Sequence, residues 1–231
     1  QKDKKQRVSL VSANRRWKML KEKPEEIRSC VDCYSPACNG EAAESPEFCP
    51  YLRCDDSLFE IAESELRSDP ESRRFSEAVC CDDVPMTRVE EVMEFARRLG
   101  IKKLGVATCA GLLSESAVLA KILRSNGFEV YGVCCKMGSL SKLDTGLSPE
   151  QLARFKNGPI MCNPIGQAMA LNEAGTELNI LMGLCVGHDT LFYKFCKGFC
   201  TVLVTKDRVL AHNPAGALYE TGSFYRRLLQ P

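Results

Sequence analysis

From Ser57 onward the apolar residues recur at helical spacing: Leu58, Ile61, Ala62 and Leu66 line one face, and Phe75, Ala78 and Val79 resume it beyond Pro70. Thr87-Arg88-Val89-Glu90 then has the form of a capping box. It predicts a helix with Val89, Val92, Met93, Ala96 and Leu99 inward and Gly100 as its stop. Beyond Gly100 the pattern changes to short solid apolar runs that alternate with helical segments. Strands are predicted at 104–108, 128–133, 178–184 and 201–205, with a shorter apolar run at 159–161. Helices are predicted at 114–125, from Ser148-Pro149, from Asn163-Pro164 through Leu171, at 188–197, and after His212-Asn213-Pro214. Strands alternating with helices across short connections predict an α/β fold, an open and mostly parallel sheet with helices on both faces.

Two N-terminal stretches do not follow this pattern. Residues 1–26 are basic at first and then helical around Trp17, Met19 and Leu20, which reads as an arm that packs on the body or on a protein partner. Residues 27–56 hold five Cys and three Pro with little periodicity. A segment so poor in apolar periodicity needs something other than hydrophobic burial to order it. The division expected is therefore 1–26 arm, 27–56 Cys-rich metal- or cluster-binding segment, and 57–231 α/β domain.

Composition sharpens the chemistry. The chain has 231 residues, 31 Lys plus Arg against 30 Asp plus Glu, and a formal net charge of +1. That balance lacks the basic field of a nucleic-acid-binding domain. No apolar run has the length of a membrane span or the flanks of a signal peptide, so a cytoplasmic protein is expected. Fourteen Cys stand against two His. In a chain long enough to build a core, reduced thiols acting as metal or cluster ligands are favoured over a disulfide framework.

Cys30, Cys33, Cys38 and Cys49 form a Cys-x2-Cys-x4-Cys-x10-Cys run, with Pro50 after the last and Cys54 as a substitute ligand. Thiolate softness narrows the occupant to zinc or an iron–sulfur cluster, and spacing does not separate them. A second set is scattered along the chain but falls at predicted strand ends: Cys109, the doublet Cys134-Cys135, Cys162 and Cys185. In an open parallel sheet such positions converge on one crevice. Taken singly, each could instead be a small core residue. Cys80, Cys81, Cys196 and Cys200 have no such placement, and the last two read as helix and strand packing.

Gly183-Leu184-Cys185-Val186-Gly187-His188-Asp189 reads as strand, turn and helix start, where free N–H groups can take an anion or a cluster sulfur. His188 and Asp189 are the candidate catalytic residues, Asp189 also being a candidate N-cap. Lys136, Lys206 and His212 are candidate cofactor or anion contacts, although Lys206-Asp207-Arg208 also reads as a solvated hairpin turn between the strand 201–205 and a short strand at Val209-Leu210.

The blocks Ala107-Thr108-Cys109, Gly132-Val133-Cys134-Cys135-Lys136, Met161-Cys162-Asn163-Pro164, Gly183–Asp189 and Lys206–Pro214 resemble those of an uncharacterised family. Its members come largely from anaerobic bacteria and archaea and are labelled metal-binding proteins of unknown function. The resemblance spans about residues 28–229 and implies metal binding, with Cys109, Cys135, Cys162 and Cys185 as the strand-end thiols. The doublets Cys80-Cys81 and Cys134-Cys135, together with Cys196 and Cys200, look like extras beyond the family's usual set, which leaves Cys134 and Cys135 as alternatives. Three functions follow: an iron–sulfur redox or electron-transfer protein with one or two [4Fe–4S] centres and a redox partner protein, a zinc-stabilised module that binds a small anion, or an accessory subunit of a larger redox complex.

Overall fold

The computed structural model describes residues 28–79, 85–154 and 158–230. The arm expected at 1–26 and the doublet Cys80-Cys81 lie outside the described residues. Two compact units divide between Arg73 and Arg74.

In the first unit, 3-10 turns at Cys30–Asp32 and Pro36–Asn39 and one helical turn at Pro50–Arg53 lead into helix α1 (Asp56–Ser68). Asp55 caps α1 by accepting a hydrogen bond from the Ser57 amide. Cys49 is the sole buried residue among those described up to Arg73. This agrees with a segment whose own sequence builds no apolar core.

The division falls inside helix α2 (Pro70–Ala78). The second unit is built on four parallel strands: β1 (Lys103–Thr108), β2 (Glu129–Cys134), β3 (Leu178–Met182) and β4 (Phe199–Val204), in the order β2-β1-β3-β4. Helix α3 (Arg88–Arg98) carries the expected capping box, with Thr87 and Glu90 bonded reciprocally. It joins α4 (Leu113–Ser125) on one face, where Val92, Met93, Ala96, Leu119 and Leu123 pack on Leu104, Val106, Leu178, Ile180 and Met182. Helices α5 (Pro164–Glu173) and α6 (His188–Phe195) cover the other face, where Ala168, Leu171 and Phe192 meet Ala107, Val133 and Leu181. Alternate residues of β1 and β3 feed opposite cores, as strand periodicity demands. The α/β sheet with helices on both faces is therefore the observed fold.

The strand order reverses direction between β1 and β3, the position where open α/β sheets form their ligand crevice. Two sequence expectations shift in detail. The apolar run 159–161 is not a strand of this sheet, because Ile160 forms only an isolated antiparallel bridge with Ser141. Its backbone is occupied instead by Met161 N–H to Leu140 and Lys142 N–H to Pro159. Nor do Val209 and Leu210 form a strand, since both lie in consecutive turns.

Candidate functional site

Three strands deliver thiols to the carboxyl edge. Cys109 follows β1 directly, its amide bonded to the Met182 carbonyl at 3.0 Å, and it opens a 3-10 turn at Ala110–Leu112. Cys135 follows β2, its amide bonded to the Thr108 carbonyl at 2.8 Å. Cys162 lies in the loop before α5, fixed there by the adjoining Asn163 amide bonded to the Cys135 carbonyl at 2.7 Å. Beneath them the buried Gln167 Nε2 donates to the carbonyls of Thr108 and Val133 at 3.1 and 2.7 Å, tying the ends of β1 and β2 to α5.

These thiols form a row in which Cys135 contacts both Cys109 and Cys162. The hydrogen bond from Cys135 is the main reason that the Cys109 thiol is held down to about 4, against burial, with help from the Gly111 amide and Lys206. Those donors are at 3.4 and 3.3 Å from Cys109 Sγ. Cys135 is pushed up, first by donating to Cys109 and then by burial, although the Ala110 amide donates to its sulfur at 3.3 Å. Of the doublet, Cys135 faces the row, while Cys134 Sγ accepts from the Lys136 amide of its own turn.

Cys185 arrives differently. Strand β3 ends at Met182, and Gly183 turns the chain with φ +64°, where a Cβ would collide with Leu112. The sulfur of Cys185 accepts from Arg208 Nη2 at 2.9 Å. Arg208, expected in a solvated turn, instead meets this thiol. The Asp207 carboxylate accepts from the Val209 and Leu210 amides, and His212 Nδ1 accepts from the Asp207 amide at 3.1 Å, so this compact turn holds Lys206 and Arg208. His212 thus braces the turn. Lys136 Nζ donates to the Ile160 carbonyl, bracing the loop before Cys162.

His188 opens α6, half-buried, and burial is the main cause of its lowered pKa, with Lys136 and Arg208 adding to the effect and Asp189 opposing it. Asp189 is not the N-cap. Gly187 occupies that position, and the Asp189 carboxylate folds back to accept from the Gly187 and Thr190 amides at 2.9 and 2.7 Å.

Among the described residues, no three His, Cys, Asp or Glu side chains are grouped so as to hold a metal ion. In the first unit, Cys30 and Cys38 are exposed, Cys33 half-buried and Cys49 buried, with Cys54 exposed. The donor chemistry of the carboxyl edge nevertheless fits a soft metal. It offers thiols from separate elements, backbone N–H groups aimed at the Cys135 and Cys109 sulfurs, and Lys206 and Arg208 donating to those of Cys109 and Cys185.

Cys196 and Cys200, read from the sequence as packing, touch one another at the opposite edge of the sheet. No helix of the described residues is long and apolar enough to cross a membrane.

An uncharacterised protein of Methanocaldococcus jannaschii is 48% identical over 149 residues, covering 62% of this chain and 72% of that protein. No solved structure gives a significant match. The family described as "protein of unknown function (DUF1847)" matches residues 52–203, a range that includes all the sheet-edge thiols. With roughly two thirds of its length in that match, this Cys-rich chain belongs to the DUF1847 family.

Proposed function

We propose that the carboxyl-edge thiols are a soft-metal centre, occupied by an iron–sulfur cluster, and that the protein acts in electron transfer with a redox partner protein. The observation that carries this reading is the row Cys109–Cys135–Cys162, assembled from three separate chain segments, with Cys185 on the adjoining strand end. Cys109, Cys135, Cys162 and Cys185 would hold the cluster, which when bound supplies one-electron transfer. Four thiolates around a cluster leave a net negative charge; Lys206 and Arg208 already donate to two of these sulfurs, Cys109 and Cys185. The amides of Ala110 and Gly111 donate to sulfur and favour its thiolate form. His188, kept neutral by burial, can receive a proton beside them. The run Cys30, Cys33, Cys38 and Cys49, with Cys54 in reserve, would form a second centre that orders the first unit.

The Lys206 and Gly111 donors on Cys109 also favour a second reading, in which Cys109 is a thiolate nucleophile and no metal is required. Anaerobic purification with iron, zinc and sulfide analysis separates the two. The cluster reading expects brown protein, acid-labile sulfide, and iron that falls in Cys135→Ala and in Cys185→Ala. Zinc in place of iron would favour the zinc-stabilised module. Colourless, metal-free protein whose Cys109 is alkylated stoichiometrically would replace both with the nucleophile.

A further inference from the structure

We propose that Cys196 and Cys200 form a redox-active dithiol that exchanges with small disulfides, a site separate from the carboxyl-edge thiols. Cys196 ends α6 and Cys200 is the second residue of β4, paired in register with Asn179 at the amino end of β3. The tight connection through Lys197 and Gly198 folds the two sulfurs into hydrogen-bond contact, and both lie 3.5 Å from the Gly198 carbonyl oxygen.

The arrangement is built around Asn179. This amide is fully buried in a strand that is otherwise Leu178, Ile180, Leu181 and Met182, where an unpartnered polar group would be costly. Thr176 Oγ1 donates to its Oδ1 at 2.7 Å, which turns Nδ2 toward Cys196 Sγ at 3.2 Å. Space for the amide comes from Gly105 and Gly198. A Cβ on Gly105 would strike Asn179 Oδ1, and one on Gly198 would lie 2.8 Å from Nδ2. A neutral thiol is a weak acceptor for such a donor, whereas a thiolate is a strong one. The Cys200 bond, the Gly198 backbone and Asn179 together hold the Cys196 thiol down to about 7, and Cys200 is pushed up by donating to Cys196 and by burial.

The step balances without further reagents. The Cys196 thiolate attacks one sulfur of R–S–S–R; a Cys196–S–R bond forms, the original S–S bond breaks, and R–S⁻ leaves with a proton from solvent. Cys200 then attacks the Cys196 sulfur, gives up its proton to the second departing R–S⁻, and closes the Cys196–Cys200 disulfide. The protein dithiol loses two electrons and the small disulfide gains them.

The test uses the full chain and 2-hydroxyethyl disulfide, followed by iodoacetamide, trypsin and mass spectrometry. Cleavage after Lys194, Lys197 and Lys206 puts Cys196 on peptide 195–197 and Cys200 on peptide 198–206. The expected product is these two peptides joined by a disulfide. Cys200→Ser should retain a hydroxyethylthio adduct on 195–197, whereas Cys196→Ser should leave 198–206 unmodified. Asn179→Ala should slow the first exchange about threefold, because one hydrogen bond to the thiolate is worth about tenfold in its population and the more basic thiolate regains part of that in nucleophilicity. Recovery of both peptides alkylated and unlinked in the unsubstituted protein would overturn the proposal. So would adduct formation on Cys200 in Cys196→Ser at the unsubstituted rate.

Discussion

Gln167→Leu tests whether the carboxyl edge is held by a single buried amide. Gln167 has no exposed surface, and its Nε2 serves the last carbonyl of β1 and the Val133 carbonyl of β2. Leucine has similar volume, so the cavity contribution is small, and the loss isolates the hydrogen bonds. The Thr108 carbonyl keeps its bond from the Cys135 amide, so there the loss is one ordinary hydrogen bond, about 0.5–1.5 kcal/mol, and losing the amide at the Val133 carbonyl costs about 1–3 kcal/mol. Gln167 Oε1 is itself buried with no hydrogen-bond partner among the described residues, and its removal returns about 1–3 kcal/mol. The net expectation is about 1 kcal/mol of destabilisation. For a domain of this size that lowers Tm by about 2–4 °C. Calorimetry should show this loss, and Cys109 should alkylate faster as the ends of β1 and β2 separate. A Gln167→Leu protein as stable as the parent would refute the reasoning, because the unpaired Oε1 would then outweigh both bonds.

Gly105→Ala should destabilise by about 1–3 kcal/mol, since its Cβ would strike Asn179 and approach Leu171 Cδ2 at 3.1 Å. Gly132→Ala on edge strand β2, where the nearest atom is 4.0 Å away, should melt near the parent temperature in the same calorimeter. Thr87→Ala removes the cap of α3 and should cost about 1 kcal/mol in urea unfolding. The pKa of His188 is lowered in the metal-free folded protein, so below its ordinary value near 6.5 the unfolded chain binds the extra proton first. That contribution is intact above this pH and fades on acidification. Urea midpoints measured from neutral to mildly acidic pH should therefore fall less steeply in His188→Asn than in the parent, and equal slopes would count against it.

The sheet was legible because its central strands β1 and β3 are buried on both faces and read as solid apolar runs between helical segments, with the half-exposed edge strands β2 and β4 still apolar enough to show. The boundaries moved where hydrogen bonding, invisible in the pattern, decided them. Leu184 looks like strand, yet Gly183 has already turned the chain there. The run 159–161 has strand composition, but Pro159 contributes no N–H and the neighbouring amides bond to Leu140 and Pro159 instead of to a ladder. Positions that follow a strand locate Cys109, Cys135 and Cys185 at one edge without any distance information. Arg208 was not legible, because a cation in a turn earns attention only when a sulfur from 23 residues away meets it. The same holds for Gln167, whose partners lie 59 and 34 residues distant.

Cys196 and Cys200 escaped the sequence reading for a reason that also defines their independence. Looking for thiols after strands finds one edge of a parallel sheet; a thiol at a strand's start falls on the other. Strands of five to six residues at about 3.3 Å per residue put roughly 17 Å between those edges. No single ion or small disulfide spans that distance, and no thiol serves both places. Removing Cys200 should therefore leave any iron content unchanged, and removing Cys135 should leave peptides 195–197 and 198–206 able to link. Iron that disappears with Cys200, or linkage that disappears with Cys135, would mean that the sheet couples its two edges, and the thiols would then have to be treated as one system.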